Sequence, residues 1–91
     1  MIDGIRLELQ QTSSAITEAD AAITTSKQGL RAAEEGYRVR RELFRAGKAT
    51  LVEVTDAEAE LTRARLEVVN ALVEARIARV RFDHAVGRDG Q

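Results

Sequence analysis

The chain has no cysteine, no proline and no tryptophan, and each absence narrows what it can be. Without cysteine there is no disulfide framework and no thiolate metal site. Without proline nothing obliges a helix to kink or stop, so long uninterrupted helices are open to it. Aromatics are confined to Tyr37, Phe44 and Phe82, and no stacking aromatics accompany the basic residues, which argues against nucleic-acid binding. Acidic and basic residues nearly cancel, for a net charge of -1, so nothing draws the whole chain to anionic lipid either. No apolar run approaches the ~20 residues of a membrane-crossing helix. The opening Met1-Ile2-Asp3-Gly4 lacks the basic, apolar, small-residue order of an export leader.

What is present is punctuation at one place and periodicity around it. In Phe44-Arg45-Ala46-Gly47-Lys48-Ala49-Thr50-Leu51-Val52-Glu53, Gly47 suits the left-handed position that closes a helix, having no Cβ to clash there. Thr50 and Glu53 have capping-box spacing, each side chain in reach of the other's backbone amide. The reading is all-α: a long antiparallel two-helix hairpin over residues 1–91. Its helices run from about 3 to 45 and 51 to 86, with a tip at 46–50 and a frayed tail at 87–91. Asp3 is the expected N-cap of the first helix, and Gly87 the expected stop of the second.

Along the first helix, Ile2, Leu9, Ile16, Ile23, Leu30, Tyr37 and Phe44 recur every seven residues, a seam for coiled-coil-like packing. Small residues flank it: Ala19, Ser26 and Ala33 on one side, Ala15, Ala22, Gly29 and Gly36 on the other. Gly29 and Gly36 each cost about 1 kcal/mol against alanine in a helix interior, and close approach of a neighbouring helix is the expected reason for them. The second helix has a seam of Val54, Leu61, Val68, Ala75 and Phe82, and an alanine column of Ala57, Ala64, Ala71, Ala78 and Ala85. A further stripe, Val52, Ala59, Leu66, Val73 and Val80, lies roughly opposite at about 100° per residue. Two opposed stripes call for helices on two sides, as in a ring of helices or the interior of a bundle. A 91-residue chain of small apolar side chains encloses little core, so self-association or other helices should complete it.

Phe44-x-x-Gly47-x-x-Thr50-x-x-Glu53-Val54-x-Asp56-Ala57, continued by Leu61 and Ala64 and closed by Phe82-x-x-Ala85-x-Gly87, resembles the TolC-like outer membrane efflux protein family. The resemblance covers nearly the whole chain as one hairpin of the family's periplasmic part, and its specific portion is the tip. It implies an α-helical barrel in the periplasm, usually trimeric, continued by a β-barrel in the outer membrane whose strands this chain does not contain. It implies that Phe44, Gly47, Lys48, Ala49, Thr50 and Leu51 form a tip that docks a periplasmic adaptor (membrane fusion) protein. It also implies that Glu53 and Asp56 are acids of the pore entrance. Phe44 stands where many members have Tyr, Ala49 where some have Arg, and Thr55 where the acidic motif has Leu, so the gating contacts differ in detail.

Simpler explanations stand beside these. Arg38, Arg40, Arg41, Arg45 and Lys48 near one helix end, mirrored by Glu53, Asp56, Glu58 and Glu60 at the next helix start, complement the helix macrodipoles. Glu53 is first a cap, whereas Asp56 has no capping role at its offset. Asp83 and His84 are neighbours in sequence and do not face each other on a helix, so they make no dyad and are expected at the surface. A single imidazole without cysteines does not make a zinc site. No nucleophile with its base, phosphate loop or pocketed carboxylate pair is visible; no enzyme and no cofactor is expected. The alternative reading is a self-contained hairpin that dimerises into a four-helix-bundle scaffold or binding module. A weaker one is the hairpin of an adaptor, whose Arg-Leu-Ser type of tip pattern is missing from Arg45-Ala46-Gly47-Lys48.

Overall fold

The computed structural model describes the backbone of residues 2–89 and the side chains of residues 4–87. It is an all-α helical hairpin. Helix α1 spans Ile2–Arg45 and helix α2 spans Leu51–Asp89, with no strand among the described residues. Packing divides the chain into two units, Thr25–Val69 around the turn, and Met1–Thr24 with Asn70–Gln91.

In the unit around the turn, α2 buries Val54, Leu61 and Ala64, and α1 turns Leu30, Ala33 and Tyr37 partly inward. These are the seam and small-residue positions that seven-residue spacing marks out. The seam shifts at the end of α1: Phe44 is 43% exposed, and the half-buried side chain is Leu43. Seven residues of an α-helix turn through about 20° less than two full turns, so a column of seven-residue steps drifts off a straight contact line.

The other unit buries Ala71, Ala75, Ala78 and Ala85 from α2, against half-buried Leu9, Thr12, Ile16, Ala19 and Ile23 from α1. Alanine on one helix and Leu or Ile on the other is a large-into-small arrangement that brings two backbones close. Arg79 reaches across to donate to both carboxylate oxygens of Asp20, at 3.3 and 3.4 Å. With both side chains at least half exposed, that pair contributes little to stability. Asp83 and His84 are exposed, as expected.

Three expectations are corrected. Gly87 does not end α2, which continues to Asp89 with no positive φ at Gly87; without a left-handed residue the Schellman stop cannot form. Residues 90 and 91 of the expected tail lie outside the described residues. Asp3 falls within the first turn of α1 and not ahead of it, so it is not the N-cap; its side chain is outside those described. Gly29 and Gly36 do not admit the partner helix of the hairpin, since a Cβ built at either would meet nothing within 4 Å.

Candidate functional site

The turn at residues 46–50 is closed from both sides by local hydrogen bonds. Gly47 adopts φ +74°, the one positive φ among the described residues. Its amide donates to the Phe44 carbonyl at 3.0 Å, and the Lys48 amide donates to the Leu43 carbonyl at 2.8 Å. This pair of bonds is a Schellman motif, which satisfies carbonyls at the end of α1. On the far side, the Glu53 amide donates to Thr50 Oγ1 at 3.1 Å, and the Thr50 amide donates to Glu53 Oε2 at 2.8 Å. Both halves of the capping box are formed. Half-buried Ala49 and buried Val54 occupy the positions of a hydrophobic staple. Thr50→Ala removes the acceptor for the Glu53 amide and is expected to cost about 0.5–2 kcal/mol. Thermal melts of Thr50→Ala, Glu53→Gln and the double variant check it. Strongly non-additive losses are expected, because the two side chains act as one cap.

A turn held this way presents a fixed set of side chains. Phe44, Leu51 and Val52 are 43%, 64% and 68% exposed, and Lys48 and Thr50 are also exposed. The apolar ones sit beside a backbone held by the bonds just described, which suits contact with another protein surface.

Beside the turn, within the same unit, an open groove of about 340 Å³ runs along one side of the two helices. Ala33 and Gly36 from α1 and Ala57 from α2 form its small-residue lining, with Tyr37 and Arg40 beside them. Glu53, Asp56 and Glu60 supply three carboxylates on the α2 side. The two predicted pore acids are thus brought together, and Arg40 and Glu60, which the sequence placed only in the charge pattern of the helix ends, line the same groove. Counting an antiparallel register back from the turn, which sets residues near 40 opposite residues near 53–56, would have found the group. Glu60 is held by Arg63 at 2.5 Å and Glu53 by the cap. The Asp56 carboxylate has neither a hydrogen bond nor an ion pair among the described residues. Gly36 lines the groove at a point where a Cβ would meet nothing within 4 Å.

On the outer surface of α1, Arg38 forks onto Glu35 with bonds of 2.6 and 3.1 Å. The hydrogen bond from Arg38, and then its charge, hold the Glu35 carboxyl below its usual range. The pair therefore contributes at neutral pH and is lost as pH falls through that lowered value. Both side chains are exposed, so its weight in stability is small.

The described residues contain no group of His, Cys, Asp or Glu arranged to hold a metal ion, and no helix long and apolar enough to cross a membrane. Neither curated proteins nor solved structures include a match to this chain. The family model for outer membrane efflux proteins matches residues 4–88, nearly the whole chain and both sides of the turn. Together with the two-helix fold, that match shows that the chain belongs to the outer membrane efflux protein family.

Proposed function

We propose that this hairpin is a wall segment of a periplasmic α-helical barrel in an efflux channel, and that its turn docks a periplasmic adaptor protein. The family's role in efflux is the frame. The observation that carries the docking reading is the turn itself: Phe44, Leu51 and Val52 stay exposed on a backbone pinned by a Schellman motif and a capping box. A rigid tip loses little conformational entropy on binding, so its exposed apolar area converts to affinity more efficiently than that of a loose loop. Phe44, Gly47, Lys48, Ala49, Thr50 and Leu51 are the contact residues in this reading. Glu53 and Asp56 are the acids of the channel entrance.

The wall reading rests on α2. Val52 and Leu66 in one unit, and Val73 and Val80 in the other, are each at least half exposed. They are the large members of the second apolar stripe. A helix that buries one stripe and exposes another is completed by a further helix, in the parent channel or in a second copy.

Gly47→Ala combined with Lys48→Glu is expected to weaken adaptor binding by about tenfold or more in the full-length parent. Alanine at φ +74° is strained by about 1–2 kcal/mol, and the charge reversal removes the tip's cation. Helicity by circular dichroism should stay nearly unchanged. The check is a pull-down of wild type and variant against periplasmic adaptor hairpins, with light scattering for mass. Equal binding by both would overturn the docking reading. A discrete dimer with no adaptor binding would favour the self-contained four-helix bundle.

A further inference from the structure

Two faces of the unit around the turn lie in water although neither carries a charge. On α2 the exposed residues Val52, Thr55, Ala59, Thr62, Leu66 and Val69 recur at steps of three and four. On α1 the exposed residues Thr25, Gly29, Ala32, Gly36 and Val39 do the same. Such steps are the spacing of a helix-packing seam, so each helix has a second seam besides the one it buries in the hairpin. The exposed charges of this stretch of α1, among them Lys27, Arg31, Glu34, Arg38 and Glu42, lie off that line. Gly29 and Gly36 weaken the helix, and the hairpin's own packing does not use them, since a Cβ at either would meet nothing within 4 Å.

We propose that the second seam of α1 is the seat for the second seam of α2 from another copy of this chain, with Leu66 of one copy over Gly29 of the next. The pairing rests on the wall reading, in which copies stand side by side with their turns at one level, and it names the faces that meet. Residues 33–40 of α1 and 53–60 of α2 line one groove and run in opposite directions. Gly36 is therefore level with residues 57–60, and Gly29, one heptad further from the turn, with residues 64–67. A copy moved sideways without sliding keeps these levels, so Ala59 falls at Gly36 and Leu66 at Gly29. The largest side chain of one seam meets a residue with no side chain in the other, which lets the two backbones close up around it.

Charge fits the same placement. Asp56 is four residues from Val52 and three from Ala59, so it borders the α2 seam; Arg40, four residues from Gly36, borders the α1 seam at the same level. Within one hairpin the two line the same groove without forming an ion pair, and the neighbouring copy gives each a partner. A symmetric contact between two α2 seams would cover Leu66 but leave the α1 seam in water. The head-to-tail contact covers both seams of every copy.

The chain has no cysteine, so single introduced cysteines report the contact. Gly29→Cys chains are mixed with Leu66→Cys chains and oxidised, beside a control mixture of Arg31→Cys and Leu66→Cys. The 29–66 dimer is expected in at least about fivefold excess over the 31–66 dimer, because a disulfide forms only where Cβ atoms come close. Gly36→Gln added to the Gly29→Cys chain fills the seat and should cut that yield by at least about fivefold, while helicity by circular dichroism holds or rises. Arg40→Glu in the Gly29→Cys chain should lower it by about two- to fivefold, and Asp56→Arg in the Leu66→Cys chain should restore it. Equal yields of the 29–66 and 31–66 dimers, or a yield indifferent to Gly36→Gln, would overturn the pairing. So would an excess of the symmetric Leu66→Cys dimer, or an Arg40→Glu loss that Asp56→Arg does not restore. The wall reading is read separately, from assembly of the full-length parent carrying Leu66→Lys.

Discussion

Leu61→Ala is expected to lower the melting temperature of this chain by roughly 10–20 °C, whereas Leu66→Ala should shift it by no more than a few degrees. The two leucines lie on one helix but in different environments: Leu61 is 6% exposed and Leu66 58% exposed. Truncating a buried leucine forfeits the transfer free energy of the removed carbons and leaves a cavity, at about 2–5 kcal/mol in well-packed cores. A two-helix interface can collapse around the gap, so the low end of about 2–3 kcal/mol applies. For a domain under 100 residues each kcal/mol moves the midpoint by roughly 4–8 °C. At Leu66 the side chain is already largely in water, so little burial is lost. Alanine's better helix propensity offsets part of even that. Thermal melts by circular dichroism at low protein concentration decide it. Equal shifts at the two positions would mean that the chain in solution buries the Leu66 stripe, and that the contact line along α2 has been drawn on the wrong side.

The second large effect belongs to that exposed stripe in the assembled parent. Leu66→Lys or Val73→Lys, each alone, is expected to leave the isolated hairpin as helical as wild type. In the full-length channel each should sharply reduce the assembled oligomer. Covering a Leu or Val fully is worth about 1.5–3 kcal/mol, and a lysine there must drag its ammonium into the same contact. In a symmetric assembly the loss recurs at every copy, so one substitution removes several such contributions. Native-state mass measurement of the purified channel is the readout. Unimpaired assembly of both variants would show that this side of α2 faces solvent in the parent, and the barrel-wall reading would fall with it.

The sequence alone determined the helices and the turn between them, because both are written in short-range terms. Absence of proline and seven-residue apolar steps specify long helices. Gly47 at the helix end, and Thr50 three residues before Glu53, specify where the chain reverses. Each of those signals closes on itself within a few residues: the bonds found at the turn span three to five positions. The resemblance to outer membrane efflux proteins was carried by this same stretch. Other local signals were outweighed. Gly87 lacks the left-handed φ that would have ended α2, and Asp3 is already inside α1.

What only the tertiary structure decided is which apolar stripe meets which helix. Val54, Leu61 and the alanine column read as apolar in the sequence, and so do Val52, Leu66, Val73 and Val80; periodicity does not rank them. The packing buries the first set, with Ala57 half-buried, and leaves the second largely in water. That Leu43 and not Phe44 is half-buried at the end of α1 is likewise visible only in the packed hairpin. The grouping of Glu53, Asp56 and Glu60 with Arg40 and Gly36 likewise depends on the antiparallel register between two helices. Helix ends and caps are local bargains between a backbone and its nearest side chains. Register and the choice of face are settled only when two helices compete to bury the most area against each other.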